Sequence, residues 1–93
     1  MRWRHRHRGL PVVPELPELP EQLLPVPIKN PAPLELSKEE LAVLMLVDYF
    51  NLTQLEAAER LLCPRSRISR LLKSARKKLL QALLEGRPIK IIK

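Results

Sequence analysis

Hydrophobic residues recur at helical spacing in three stretches of the second half of the chain. The first stretch spans residues 37–50, and its apolar side chains cover nearly every side of the predicted helix. The second, residues 53–62, is short and has one apolar side. The third, residues 64–85, carries one apolar stripe: Ile68, Leu71, Leu72, Ala75, Leu79, Ala82 and Leu83. The pattern predicts three consecutive helices.

Polar residues at two positions indicate where the first two helices begin. Ser37 is followed three residues later by Glu40, and Thr53 is followed in the same way by Glu56. This spacing is that of a capping box, in which each side chain accepts a hydrogen bond from the backbone amide of the other residue. Glycine is the residue that most often ends a helix, so we expect the third helix to stop at Gly86.

The boundary between the second and third helices has the spacing of a helix-turn-helix. Ala58 provides a small residue where the helices would touch, and Ile68 and Leu71 provide apolar anchors on the second of them. Leu62 stands where a glycine is usual, so we expect an atypical turn. Pro64 suits the first turn of the third helix, where its missing amide would have no partner.

The first helix is too apolar to be covered by a three-helix core alone, which leaves two interpretations open. Residues 10–33 contain eight of the ten prolines and are predicted to be extended or polyproline II. They form either a semi-rigid linker or a strap whose Leu and Val side chains lie on the helices. A second subunit could cover the same face. Residues 26–29 and 89–93 are candidate short strands.

Positive charge is concentrated on the third helix. The 93 residues carry a formal net charge of +7, yet residues 35–63 are net acidic. The third helix has one acidic residue, at its end, and seven cations: Arg65, Arg67, Arg70, Lys73, Arg76, Lys77 and Lys78. Solvated helices usually mix the two signs of charge. The distribution therefore favours an anionic partner, and double-stranded DNA above all.

Position along the helix suggests how the polar residues would divide their roles. Residues in the N-terminal half can reach base edges in the major groove, and we predict this role for Arg65, Ser66, Ser69 and Arg70. Other cations, and the amino end of the second helix, are better placed for phosphates. We predict phosphate contacts for Thr53, Gln54, Arg67, Lys73, Arg76 and Lys77.

The N-terminal residues 1–9 alternate Arg with Trp or His. They are either a basic arm that follows phosphates or enters a minor groove, or a solvated, disordered terminus. His5 and His7 lack a third ligand nearby, so no metal is expected there.

Other features narrow the class of protein. Cys63 is the single cysteine, which excludes an intramolecular disulfide and a cysteine-based zinc site. No catalytic set, phosphate loop, small-molecule site, cofactor motif, membrane span or secretory signal is recognisable. We expect a cytoplasmic protein that is not an enzyme.

Residues 36–91 resemble a family of small prokaryotic predicted DNA-binding proteins of unknown function, whose helix-turn-helix is similar to region four of sigma factors. The residues that carry the resemblance in the first two helices are Glu40, Leu41, Leu44, Leu46, Asp48, Leu52, Gln54, Glu56, Ala57, Ala58, Glu59 and Arg60. Those further along are Arg65, Arg70, Leu72, Ser74, Ala75, Arg76, Lys78, Ala82, Leu83, Glu85, Gly86 and Ile91. The chain departs from the family at Ala42, Met45, Leu55 and Pro64, where that family tends to have polar residues.

Together these observations predict an all-α, three-helix domain at residues 35–86, similar to sigma factor region four. It would follow a basic arm at 1–9 and the Pro-rich segment at 10–34, and precede a short tail at 87–93. The predicted function is sequence-specific DNA binding in transcription regulation, with helix 64–85 in the major groove and with a homodimer as one assembly. The alternative is an adaptor that contacts the transcription machinery without specific DNA readout.

Overall fold

The structure, a computed structural model, describes residues 19–92. It contains three helices and three strands. The strands are β1 (Gln22–Leu23), β2 (Leu34–Ser37) and β3 (Ile89–Ile92). The helices are α1 (Lys38–Leu44, continued by a π-helical turn at Met45–Tyr49), α2 (Gln54–Leu61) and α3 (Arg65–Glu85).

The three strands form one mixed sheet in which β3 is central. β3 pairs antiparallel with β1 and parallel with β2, so that Ile89 lies opposite both Leu23 and Leu34. The fold is therefore α+β, and the prediction of an all-α domain was wrong. Hydrophobic periodicity reports local structure, whereas these strands are only two to four residues long and pair across all three helices.

Only one of the two predicted strands is present. The strand at 89–92 is confirmed, whereas residues 26–29 form no strand. The segments that pair with β3 lie on either side of them. Pairing extends beyond the strands themselves, because Ile91 donates its amide to the Glu21 carbonyl at 2.9 Å and Leu34 donates to Pro88 at 2.8 Å.

The described part of the Pro-rich segment is fixed to the chain around the end of α3. Lys29 and Asn30 both donate their amides to the Gly86 carbonyl, at 2.9 and 3.1 Å, and Arg87 Nε donates to the Ala32 carbonyl at 2.8 Å. Four apolar side chains of the segment are exposed: Leu23, Leu24, Val26 and Ile28. Between residues 19 and 33, the segment is therefore held by backbone and guanidinium hydrogen bonds, not by leucines laid on α1. Residues 10–18 lie outside the described residues.

Gly86 ends α3 as predicted, and two features require glycine there. Its φ is +62°, in the left-handed region that glycine adopts without strain. A Cβ at this position would also lie 2.7 Å from the Cβ of Lys29. The end of α3 and the Pro-rich segment can meet this closely only because residue 86 has no side chain.

The apolar residues of α1 are covered by the described chain to different extents. Val43 and Leu46 are completely buried, and α1 contacts α3, β2 and, through its π-helical turn, α2. In that turn Phe50 donates its amide to the Met45 carbonyl at 2.9 Å, which adds a residue to the turn and changes the direction of the side chains after it. Asn51, with φ +63°, then reverses the chain. Leu41, Met45 and Val47 are only half-buried and Tyr49 is 76% exposed, so the strap and the second subunit both stay predictions.

The apolar stripe of α3 is buried only in part. Ile68, Leu72 and Ala75 are in the core, as predicted, and Ala82 continues it. Leu79 and Leu83 were predicted in the same stripe but are exposed. Helical periodicity assumes a covering layer along the whole helix, whereas the described residues cover Leu79 only in part and leave 75% of Leu83 exposed.

Candidate nucleic-acid interface

The turn between α2 and α3 places a leucine in a conformation that glycine adopts more readily. Leu62 adopts the left-handed conformation, with φ 56° and ψ 48°, at a cost on the order of 1 kcal/mol for a residue with a Cβ. Cys63 donates its amide to the Ala58 carbonyl at 3.1 Å and closes α2. Pro64 stands immediately before α3, and its carbonyl accepts from Arg67 at 3.0 Å. The helix thus begins one residue later than predicted.

The four residues predicted to read bases come together on one surface. They lie in the first two turns of α3, and all are exposed: Arg65, Ser66, Ser69 and Arg70. At about 100° per residue they occupy a sector of roughly 140°. The buried Ile68 lies outside that sector, toward the core. All four side chains are therefore accessible to a ligand that binds this surface of α3.

Three of the predicted phosphate contacts extend this surface. Arg67, Lys73 and Lys77 are exposed, and within residues 19–92 no carboxylate forms an ion pair with them or with Arg65 and Arg70. These five cations, which we call the open cations, occupy about 18 Å of helix length. DNA carries one negative charge per about 1.7 Å of its axis, so the spacing of the open cations suits several phosphates at once.

Arg76 was also predicted to contact phosphate, but its charge is offset within the protein. Its Nε donates to Oδ2 of Asp48 at 3.0 Å, and its Nη2 donates to Oδ1 at 2.6 Å. The hydrogen bond from Arg76 lowers the pKa of Asp48 despite the small opposing effect of burial. The same bond raises the pKa of Arg76. This two-point pairing joins the π-helical turn of α1 to α3.

The seventh cation, Lys78, belongs to a buried cluster around Glu40. Lys78 Nζ donates to Oε1 of Glu40 at 2.9 Å and to the Glu35 carbonyl at 2.6 Å. Ser74 donates its hydroxyl to Oε2 of Glu40, whose Oε1 also accepts the Ser37 amide at 2.8 Å. Burial raises the pKa of Glu40, but the hydrogen bonds from Ser37, Ser74 and Lys78 outweigh it, and the pKa lies below its ordinary value.

Sequence reasoning identified Glu40 only as a helix cap and did not foresee this cluster. A signal was present, since Ser74 and Lys78 are four residues apart and border the apolar stripe of α3. That position places their side chains near the edge of the helix contact, although neither was assigned a partner from the sequence. Nothing in the local pattern identified the carboxylate that they would meet.

The amino end of α2 is partly occupied by its own cap. Thr53 Oγ1 accepts the Glu56 amide at 3.0 Å, and Oε1 of Glu56 accepts the Thr53 amide at 2.8 Å. Both predicted capping boxes are thereby confirmed. Thr53 no longer has a free amide for a phosphate, and Gln54 is half-buried.

An exposed apolar surface adjoins the turn. Leu62 is 91% exposed and Leu55 is more than half exposed. With Pro64 and Cys63 they line a shallow depression that reaches Arg65. The departure at Leu55 was noted in the sequence, but the joint exposure of these leucines depends on the left-handed turn.

Two further expectations concern metals and membranes. The basic arm and its histidines, His5 and His7, lie outside the described residues. Within 19–92, no three His, Cys, Asp or Glu side chains come together as metal ligands would. Nor does that part of the chain contain a helix with the length and hydrophobicity needed to cross a bilayer.

Comparison with known proteins shows the family. The profile of the family described as "Protein of unknown function DUF134" matches residues 1–93. The chain belongs to this family. The resemblance to a small prokaryotic family of unknown function is thus confirmed, whereas DNA binding by this DUF134 protein stays a prediction.

Several relatives of this DUF134 protein cover much of its length. It is 40% identical over 85 residues to UPF0251 protein PYRAB12660 of Pyrococcus abyssi, an alignment that covers 91% of this chain and 76% of that protein. It is 48% identical over 60 residues to UPF0251 protein PF0620 of Pyrococcus furiosus, covering 64% of this chain and 56% of the relative. It is 43% identical over 89 residues to UPF0251 protein MmarC5_0986 of Methanococcus maripaludis, covering 90% and 68%. The chain thus spans little more than half of some relatives and about three quarters of another. No solved structure matches it.

Proposed function

We propose that this DUF134 protein is a sequence-specific DNA-binding protein that regulates transcription, with α3 in the major groove. The observation that carries the proposal is the set of open cations on the exposed side of α3, none of which has an ion-pair partner within residues 19–92. A helix that is merely solvated usually offsets its cations with nearby acids. Among the seven cations of α3, the acids within residues 19–92 offset only Arg76 and Lys78, both of which face α1.

The proposed roles follow the position of each residue along α3. Arg65 and Arg70, with Ser66 and Ser69 between them, would face base edges. An arginine that pairs with both acceptors of a guanine gives about 1–3 kcal/mol of discrimination. Such pairs would make binding depend on sequence.

The remaining open cations would hold the phosphates. Arg67, Lys73 and Lys77 flank the base-reading surface and would add affinity without sequence choice. Gln54 would approach a phosphate from the amino end of α2, where the helix dipole favours an anion. Arg76 would contribute less than these, because Asp48 already offsets its charge. A DNA-binding role would place the protein in the prokaryotic cytoplasm.

The test measures binding to double-stranded DNA as a function of salt, with sites first selected from a random pool. We expect affinity to fall steeply with salt, because each phosphate contact contributes about −0.9 to the slope of log K against log salt. Arg65→Ala/Arg70→Ala should weaken binding to the selected site by at least about tenfold and relax the base preference of the protein. Lys73→Ala/Lys77→Ala should weaken all sequences alike and reduce the magnitude of the slope by about 2.

A matched control removes two cations elsewhere. Lys38 and Lys90 are exposed, and neither lies on α3, so Lys38→Ala/Lys90→Ala changes the net charge equally. It should retain most of the affinity and all of the base preference. Equal binding by the parent and Arg65→Ala/Arg70→Ala at every salt concentration would rule out α3 as the reading helix.

An adaptor of the transcription machinery is the second candidate, and the exposed Leu55 and Leu62 favour it. Apolar side chains at the rim of a basic surface suit a protein partner better than a phosphate. In that case, selection from the random DNA pool would yield no preferred sequence. Leu55→Gln/Leu62→Gln would abolish the binding of this protein to RNA polymerase. The DNA-binding proposal expects the same variant to keep its base preference.

A further inference from the structure

The second half of α3 exposes a compact group of leucines. Leu79 is 38% exposed, and three neighbours are more so: Leu80 at 60%, Leu83 at 75% and Leu84 at 78%. We call these four residues the leucine face. It lies on the same helix as the open cations, but one to two turns beyond Lys77. Single exposed leucines are ordinary on protein surfaces, whereas a contiguous group indicates a contact.

The spacing within the leucine face is that of a helix-packing surface. Leu79 and Leu83 form one ridge four residues apart, and Leu80 and Leu84 form a second ridge beside it. Two parallel ridges enclose a groove that fits a ridge of the same kind on another helix. Helices packed in this way cross at about −50° with axes about 8–10 Å apart, the commonest arrangement in globular proteins.

We propose that the leucine face is the contact between two copies of this chain. A symmetric dimer uses the same patch on both partners, and the leucine face presents both the ridges and the groove that such pairing requires. On α1, which was first considered for dimerisation, Val43, Leu44 and Leu46 are already buried within one chain. We therefore place the dimer contact on the second half of α3 rather than on α1.

The charges around the leucine face favour two copies whose helices cross. Residues 79–84 contain no charged side chain, so two copies can meet there despite a net charge of +7 on each. Lys77 and Lys78 precede the face, whereas Glu85, which follows it, pairs with Arg87 at 3.0 Å. A crossed pair separates the two lysines from those of the partner, whereas a parallel pair aligned along its length would bring them together.

The area of the face predicts a reversible dimer. Specific interfaces bury about 800 Å² on each partner, and four partly exposed leucines supply roughly half of that. The aliphatic stems of Lys77 and Gln81 can supply part of the remainder. An interface at the small end of the range is expected to form at micromolar rather than nanomolar concentration.

This inference does not rest on DNA binding. The base-reading residues are centred about 21 Å along α3 from the middle of the leucine face, and a helix with its side chains is about 10–12 Å wide. A partner helix that crosses at the leucine face therefore leaves Arg65 and Arg70 uncovered.

Sedimentation equilibrium of the full chain without DNA tests the proposal. Across low to high micromolar concentration, the parent should pass from monomer mass toward twice that mass. Leu80→Gln/Leu83→Gln removes one leucine from each ridge, and its dimer should dissociate at least tenfold more readily. Both side chains are exposed, so helical circular dichroism should not change. The control Leu55→Gln/Leu62→Gln, which alters two exposed leucines elsewhere, should dimerise like the parent.

Thiol cross-linking provides a second measurement that does not depend on disrupting the contact. In a Cys63→Ser background, Leu83→Cys should be joined to its own copy by a short bis-maleimide, and Leu62→Cys should not. The proposal is wrong if the parent protein is monomeric at every concentration. It is also wrong if Leu83→Cys and Leu62→Cys cross-link equally. Either result would leave the DNA experiments unaffected, so the two proposals can fail separately.

Discussion

The cations of α3 fall into two groups that the amino-acid types alone do not distinguish. Five are open to solvent, whereas Arg76 and Lys78 each meet a carboxylate of α1. The difference arises from position around the helix: Arg76 and Lys78 border the core contact on opposite sides, and α1 places an acid opposite each. A basic helix is therefore not a uniform surface, and two of its seven charges serve to fix the helix in place.

The two fixed cations differ from each other as well. Glu40 is 4% exposed and is surrounded by donors from Ser37, Ser74 and Lys78. The Asp48–Arg76 pair is about half exposed on the arginine side. Removing one partner of a buried pair leaves the other without compensation, whereas an exposed pair contributes little. The same kind of contact should therefore have unequal effects at the two sites.

Glu40→Gln should produce the largest loss of stability. The amide keeps the shape of the side chain but removes its charge, so that Lys78 loses its ion pair and at least one donor faces an amide nitrogen. Lys78 is still partly exposed, so we expect a loss of about 1–3 kcal/mol rather than more. Denaturant unfolding followed by circular dichroism measures it. Glu39→Gln, which changes an exposed neighbour in the same turn, is the control, and equal losses would contradict the distinction.

Acidification should reduce the difference in stability between the parent protein and Glu40→Gln. The pKa of folded Glu40 is below its ordinary value, so its contribution to stability is fully present above the unfolded pKa of about 4.3. That contribution is lost as the pH falls through the lower, folded pKa. We expect the parent and Glu40→Gln to differ most in unfolding free energy near pH 7 and to converge as the pH falls through the lowered pKa of folded Glu40. A difference that stays constant down to pH 3 would show that the charge of Glu40 contributes nothing.

Asp48→Asn should have the smallest effect on stability, within about 1 kcal/mol, because the pair is exposed to solvent. If α3 binds DNA as proposed, the change should also release Arg76 as a sixth open cation. The magnitude of the salt slope would then rise by up to about 0.9. Unfolding and salt-dependent binding of the one variant give both values. A stability loss as large as that of Glu40→Gln would mean that exposure does not separate the two pairs.

Features governed by neighbouring residues were predictable from the sequence. Both capping boxes depend on a hydrogen-bonded pair three residues apart, and both are present. Two of the three left-handed residues within 19–92, Asn51 and Gly86, follow from the same kind of local preference, whereas leucine at position 62 does not favour that conformation. The three helices were therefore predicted close to their observed bounds.

Features that join distant segments were not predictable in the same way. β2 meets β3 only after the chain has passed through all three helices, and neither strand is long enough to show an alternating pattern. Glu40 likewise meets Ser74 and Lys78 across 34 and 38 residues of sequence. The exposure of Leu83 was missed because periodicity identifies an apolar side of a helix without showing how far its cover extends. The DNA contacts themselves remain a prediction.

The arrangement of the sheet has a consequence for how the described domain holds together. β1 and β2 do not pair with each other; each pairs only with β3. Each pairing joins segments that are separated by a long stretch of chain, and this costs conformational entropy. The four residues of β3 form the hydrogen bonds that offset this cost in both pairings. Opening of β3 would release two separate segments at once, including the residues that precede the cap of α1. We therefore expect the sheet to open as one unit, because both outer strands depend on β3 and not because the sheet is large.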